Sequence, residues 1–443
     1  MKQGIVRIFD HLAERGNISG LRKVRQQIIL RTRTQSIDVF RIGGRAAHGR
    51  SSTPATRPAI GRRGAPGRTL AAADLLVLRA ERPRGGAPFG QGGMARCSPE
   101  RNVNANETME ITEEIAPHQP QLVAAIEGLA AQMGSVREAV GRVIFGQKEV
   151  VDESLITLLS GGHALLIGVP GLGKTRLVET LGQVLGLAEK RIQCTPDLMP
   201  ADILGSEVLE EQEGGKRSFR FIEGPVFCQL LMADEINRAS PRTQSALLQA
   251  MQERRVSVAG HYRALPRPFH VLATQNPLEQ EGTYPLPEAQ LDRFLLEIDV
   301  AYPDRESERT IMLATTGASE DTAPRVMGAD DLLAAQRLVR QVPVGESVVN
   351  AILDLVRWCR PDESGLAEVA RHIAWGPGPR AAQALMLACR ARAILDGRLA
   401  PSIDDVIALA APVLRHRMAL HFAARADGVT IAGVIRTLCA RLS

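Results

Sequence analysis

The sequence predicts an α/β protein: a parallel sheet with helices on both faces, built around a glycine-rich loop and followed by a small all-helical domain. Three observations carry the prediction. Gly168-Val-Pro-Gly-Leu-Gly-Lys-Thr175 stands between the apolar run Ala164-Leu-Leu-Ile167 and the helically periodic Arg176-Leu-Val-Glu-Thr-Leu-Gly-Gln-Val-Leu185. That is the strand, loop and helix order of a P-loop. Further apolar runs at 191–195, 230–235 and 269–276 alternate with helical stretches, as in parallel strands joined by crossover helices. Beyond residue 324 the periodic segments, at 330–342, 346–359, 379–395 and 403–411, are helical.

The loop residues match the chemistry of holding a nucleoside triphosphate. Gly168, Gly171 and Gly173 let successive backbone N–H groups face a phosphate without a Cβ in the way. Val169, Pro170 and Leu172 complete the turn, and the following helix adds its positive N-terminal end. Lys174 is placed to reach the β- and γ-phosphates, and the Thr175 hydroxyl to ligate Mg²⁺.

At 443 residues the chain exceeds what one compact core usually holds, so two or three domains are expected. It has no unbroken apolar run near 18 residues, so no membrane span is expected. The six cysteines, at 97, 194, 228, 359, 389 and 439, have no metal-like spacing and read as buried free thiols of a reducing cytoplasm. The formal charge of +5 hides a division: residues 1–108 carry 20 Lys+Arg against 7 Asp+Glu, leaving 34 against 42 for the rest. The first 108 residues have no period that would bury a core. They are expected to be a disordered basic extension or an upstream over-extension of the gene, since an acidic segment begins at Met109. A nucleic-acid-binding tail is the competing reading of that charge.

Residues 121–144 read as a helix, Val143-Ile-Phe-Gly-Gln147 as a turn, and 150–160 as the next helix. Leu230-Leu-Met-Ala-Asp-Glu235 is an apolar strand ending in two carboxylates. Downstream of a P-loop, Asp234 is expected to hold Mg²⁺ and Glu235 to orient and deprotonate the attacking water. The strand at 269–276 ends in Asn276, which could position that water. Arg293, between the helical 288–293 and the strand 294–298, could neutralise transition-state charge from the rim, or form an ordinary surface pair with Asp292.

These motifs carry a resemblance. The P-loop, Ile192-Gln-Cys-Thr-Pro-Asp-Leu-Met-Pro-Ala-Asp202, Ala233-Asp-Glu-Ile-Asn-Arg-Ala239, Pro412-Val-Leu-Arg-His-Arg417 and, most specifically, the run Ala273-Thr-Gln-Asn-Pro277 to Leu291-Asp-Arg-Phe294 are similar to the MoxR family of AAA+ ATPases. The resemblance covers residues 119–443 and implies an AAA+ core at 119–313 and a helical lid at 324–443, joined by a polar linker at 314–323. It implies Walker A at Gly168–Thr175 with Ile144 among the nucleotide-binding residues, Walker B at Asp234 and Glu235, and sensor 1 at Asn276. Arg293 would be the arginine finger offered to a neighbouring subunit, with Arg238 the next candidate. Arg380, opening the helix at 379, would be sensor 2 reaching the γ-phosphate. Trp358 and Trp375 are expected in the lid core.

Two segments that alternate around glycines, 205–224 and 255–263, read as β-hairpins and resemble the family's helix-2 and pre-sensor-1 inserts. The resemblance implies hydrolysis of ATP with Mg²⁺ in a homo-oligomeric ring, expected to be a hexamer. It also implies a von Willebrand factor A-domain partner and a chaperone-like role in maturing client complexes or inserting metals and cofactors. Nucleic acid is not an expected partner. A DNA- or transcription-associated AAA+ regulator is the alternative, supported only by the basic extension.

Overall fold

A computed structural model describes residues 119–211, 217–279, 282–317 and 322–442. The basic segment 1–108, the hairpin turn 213–216, Cys97 and part of the expected linker lie outside the described residues. Two helices come first: α1 (Gln119–Gly141) and α2 (Lys148–Leu159), the former ending short of Ile144 so that 142–147 forms the turn. The sheet begins with β1 (Ala164–Ile167), followed by the P-loop, α3 (Lys174–Val184) and β2 (Glu189–Gln193). The last starts two residues earlier than its apolar pattern suggests, because it is an edge strand with Ile192 alone buried. After α4 (Pro200–Leu204) come the hairpin strands β3 (Gly205–Glu211) and β4 (Arg217–Glu223), then β5 (Leu230–Asp234) and α5 (Pro241–Glu253). A second hairpin, β6 (Arg255–Val258) with β7 (His261–Ala264), leads to β8 (His270–Gln275), α6 (Glu288–Leu291), β9 (Leu296–Asp299) and α7 (Arg305–Thr315). The helix α7 runs two residues into the segment expected to be linker.

Five strands form one parallel sheet in the order β2-β5-β8-β1-β9. Period-two alternation divides its side chains between two cores. Ala164, Leu166, Leu230, Met232, Leu272, Leu296 and Ile298 face one, with α1, α2 and α3. Leu165, Leu231, Ala233, Val271 and Ala273 face the other, with Leu247 and Met251 of α5. This is why the central runs read as continuous apolar stretches: both faces are covered. The order places β8 between β1 and β5, so the ends of three strands line up behind one loop.

The hairpins stand off the sheet and touch each other. Leu209 lies opposite Phe219 in the first, and the second closes through Ala259 and Gly260, both at positive φ (50° and 81°), as a type I′ turn requires. Arg263 links the two, its guanidinium 3.9 Å above the Phe221 ring and 3.6 Å from Glu207.

The helical domain contains α8 (Ala329–Gln341), α9 (Glu346–Trp358), α10 (Ala367–His372), β10 (Ile373–Trp375), α11 (Pro379–Leu395), α12 (Ile403–Leu414), β11 (Ala419–Leu420), α13 (Phe422–Ala426) and α14 (Ile431–Cys439). Its apolar faces continue the core of α1–α3. Arg137 of α1 holds that junction, donating to Asp152 at 2.6 Å, to Leu395 O at 2.6 Å and to Asp396 at 3.1 Å. Trp358 and Trp375 are half-buried rather than central: the helix-domain core is filled by small and aliphatic side chains such as Ala388, Leu385 and Val413. The five described cysteines are all buried free thiols. No helix among the described residues is long and apolar enough to cross a membrane.

Candidate nucleotide site

The P-loop connects β1 to α3, and Gly171 and Gly173 hold φ of +85° and +74° there. A Cβ at either would meet nothing within 4 Å, so their value is conformational rather than steric. Gly168 differs: a Cβ there would come within 2.7 Å of Val300 O, so the strand end requires a bare backbone. A cavity of about 540 Å³ opens over the loop, lined by Gly171–Arg176, Arg191, Asp234, Glu235, Thr274 and Asn276. The loop residues from Pro170 to Thr175 and both expected carboxylates therefore line one cavity, with Gly168 and Val169 behind it.

Lys174 donates to Gly168 O at 2.7 Å and Val169 O at 2.8 Å. Burial pulls its pKa down from the ordinary lysine value, opposed by Asp234 and Glu235. Its ammonium is thus poised over the loop, with carbonyls holding it until a phosphate offers stronger acceptors. One Asp234 oxygen accepts from the Thr274 hydroxyl, the other from Arg191 Nη2 at 2.6 Å. Glu235 sits at φ +55°, and its N–H donates to Thr274 Oγ1 at 2.9 Å. That left-handed turn points consecutive carboxylates into the same cavity. Glu235 accepts from Gln193 Nε2 at 2.8 Å and from Arg238 Nη1 at 3.3 Å, which orients the carboxylate toward the loop's cavity. Arg238 also pairs with Glu279 at 3.2 Å. Asn276 lies between the two walls, its amide donating to Glu279 at 3.4 Å and its oxygen accepting from Leu278 N at 3.1 Å.

An apolar cavity of about 180 Å³ adjoins this one through Gly171–Gly173 and Arg176. Val143, Ile144, Phe145, Pro303, Ile311 and Thr315 line it, with Gln147 donating to Leu172 O at 2.9 Å. Ile144 thus joins a pocket whose apolar lining suits a purine base, beside a polar one suited to phosphates. Hard oxygen donors, the Thr175 hydroxyl and the Asp234 carboxylate, share the larger cavity and fit Mg²⁺ in type.

Arg293 and Arg380 are elsewhere. They line a separate cleft with Arg254, Asp292, Gln383 and Arg417, which shares no residue with either nucleotide cavity. Arg380 pairs with Asp292 at 3.4 Å. The expected contact of Arg380 with a γ-phosphate is not made within this chain's own site: α11 starts against the α6–β9 turn, not over the P-loop. Asp292 also accepts from buried Arg417 at 2.8 Å. Arg293, by contrast, makes no ion pair among the described residues, so the expected alternative, a pair with Asp292, does not form.

The chain matches the family of ATPases associated with various cellular activities (AAA) over residues 163–296 and the AAA lid domain over 366–438. It is 43% identical to Chaperone MoxR1 of Mycobacterium tuberculosis over 308 residues, 69% of this chain and 81% of that one. It is 34% identical to Protein MoxR of Paracoccus denitrificans, over 66% of this chain and 89% of the relative. The chain belongs to the MoxR family of AAA+ ATPases. A solved Cytophaga hutchinsonii structure assigned as an ATPase superposes with a TM-score of 0.68 at 37% identity, covering 74% of this chain and 98% of that one. The five-stranded parallel sheet and helical lid are those of an AAA+ module, and the relatives favour the MoxR reading over a DNA-associated one.

Within this MoxR-family ATPase, three residues that hold the carboxylates had no role legible in the linear sequence. Thr274, Arg191 and Gln193 reach the carboxylates from neighbouring strands, and strand pairing alone brings them there. Their one legible trace is that they lie on apolar runs read as strands, with polar side chains at the ends.

Proposed function

We propose that this MoxR-family ATPase is a ring-forming, Mg²⁺-dependent, chaperone-like machine whose active sites are each completed by two chains. The observation that supports it is the separation of the two clefts. Walker residues and Asn276 surround one cavity, whereas Arg293 and Arg380 stand together in another that is exposed and rich in cations. A finger without its own nucleotide is useful when a neighbour supplies one.

Lys174 and the loop N–H groups hold the triphosphate, and Thr175 and Asp234 would hold Mg²⁺, which would supply positive charge to the phosphate oxygens. Glu235, steered by Gln193, takes the proton from the attacking water, which Asn276 orients. Arg293 and Arg380 of the adjacent copy stabilise the charge that develops on the γ-phosphate. The hairpins carry exposed Leu209, Phe219 and Tyr262, apolar side chains available to a client complex. The client-maturing role, a hexameric ring and a von Willebrand factor A-domain partner follow from the family resemblance.

The test is complementation. Hydrolysis should depend on protein concentration, and Arg293→Ala should bind ATP normally while losing roughly 10³-fold or more in turnover. Arg293→Ala mixed with Glu235→Gln should recover activity that neither has alone, because mixed rings contain intact junctions. A mixture that stays inactive although mixed rings form would reject the two-chain site.

A further inference from the structure

The cleft of Arg293 and Arg380 holds another arginine that no motif indicates. Arg254 ends α5 in a left-handed conformation, φ +52°, with its N–H on Ala250 O. The chain reverses there and divides two adjacent arginines. Arg255 turns to Glu253 and covers Tyr262 at 4.3 Å, while the exposed Arg254 lines the cleft. The one hydrogen bond its guanidinium makes among the described residues runs from Nη2 to Gly161 O at 3.3 Å.

Charge counting shows what the cleft suits. Its lining has four guanidiniums, of Arg254, Arg293, Arg380 and Arg417, and a single carboxylate, Asp292. Arg417 is 2% exposed and spends its donors on Asp292 and backbone carbonyls, and Arg380 shares Asp292. The nearby Glu253, outside the lining, is bonded to Gln249 and Arg255. Arg293 attracts Glu253 only at longer range, and neither Arg254 nor Arg293 forms an ion pair among the described residues, so both face one cleft unpaired. Two such cations repel each other until an anion of more than one charge enters.

We propose that Arg254 is a third arginine presented to the nucleotide of the neighbouring copy, donating to its phosphate oxygens beside Arg293. This rests on the two-chain reading of the active site. Arg254→Gln removes the charge yet keeps a donor for Gly161 O, so a purely structural tie would survive it; Arg254→Lys restores charge without the fork. Arg254→Gln should bind a fluorescent ATP analogue and melt as the unaltered protein does. Its turnover at saturating ATP should fall roughly 10–100-fold, the scale of one hydrogen bond to a charged group. Arg254→Lys should regain part of that, and mixing Arg254→Gln with Glu235→Gln should restore activity.

The Arg293→Ala and Glu235→Gln mixture, run alongside, separates the two ideas. If that pair recovers and the Arg254→Gln pair does not, the two-chain site stands and Arg254 is not part of it. If neither pair recovers, the two-chain site fails and the role of Arg254 fails with it. Turnover of Arg254→Gln within threefold of the unaltered protein, or early melting of both variants, would equally overturn the proposal, the latter in favour of a helix-ending role.

Discussion

Lys174 and Glu235 divide binding from turnover. Lys174 has two backbone carbonyls to exchange for phosphate oxygens, so Lys174→Ala should abolish nucleotide binding, measurable by titration calorimetry. Glu235 makes its contacts at the far wall, through Gln193 and Arg238. Glu235→Gln keeps the shape and loses the base, so binding should persist while turnover falls by roughly 10²–10⁴. Hydrolysis within about tenfold of the unaltered protein would assign the base elsewhere. The left-handed backbone at Glu235 costs on the order of 1–3 kcal/mol, and the N–H bond to Thr274 helps to hold it.

Where β1 and β8 begin, two buried histidines bind the strand entries together. Val271 N donates to His163 Nδ1 at 2.9 Å, so His163 Nε2–H points to Met251 O at 3.3 Å. Gln336 Nε2 donates to Leu158 O at 2.8 Å and lies 3.0 Å from His270 Nε2, so His270 Nδ1–H donates to Gly162 O at 2.7 Å. Each ring is satisfied as the neutral tautomer. Burial foremost lowers their pKa values, to about 3 for His163 and about 4 for His270. Because the folded values lie below the unfolded one near 6.5, the unfolded chain binds more protons between those limits. Stability is complete above pH 6.5 and is lost as pH falls, by roughly 1.4 kcal/mol per pH unit for each histidine. His270→Gln, which can still donate to Gly162 O, should lose one such increment of slope between pH 6.5 and 5 in urea unfolding. Glu153, whose carboxyl burial raises to about 7, pulls the other way but cancels in that difference. An unchanged slope would show that His270 protonates freely in the folded state.

The two domains meet through a few cations set in apolar surroundings. Arg417 reaches from the lid to Asp292 and to the carbonyls of Asp292, Phe294 and Leu295, the turn that carries Arg293. Arg415 alongside it pairs with Glu297 and Asp299 of β9. A buried cation of this kind is costly to lose, because its partners remain buried without it. Arg417→Ala should lower stability by about 3–5 kcal/mol in urea unfolding. If the protein is assayed where it stays folded, ATP binding should persist and turnover should fall, because Arg293 loses its support. Loss of binding instead would place the main effect of Arg417 at the P-loop.

The local patterns were enough for the ATPase assignment. Glycine spacing before Lys174 and Thr175, apolar runs ending in Asp234, Glu235 and Asn276, and helical periodicity after 324 each depend on residues adjacent in the chain. Backbone conformation and burial act over such short distances, so these elements are legible without a fold. The positions of Arg380 and Arg254 are not of that kind. Arg380 opens its helix as expected, yet its charge lies against Asp292, 88 residues away in sequence. Arg254 enters the same cleft because α5 ends in a left-handed turn above Gly161. Long side chains find partners by how domains pack, and no sequence period encodes that packing. The strand order is likewise invisible in the linear pattern: β8 enters between β1 and β5, and it is this insertion that sets Thr274 against Asp234.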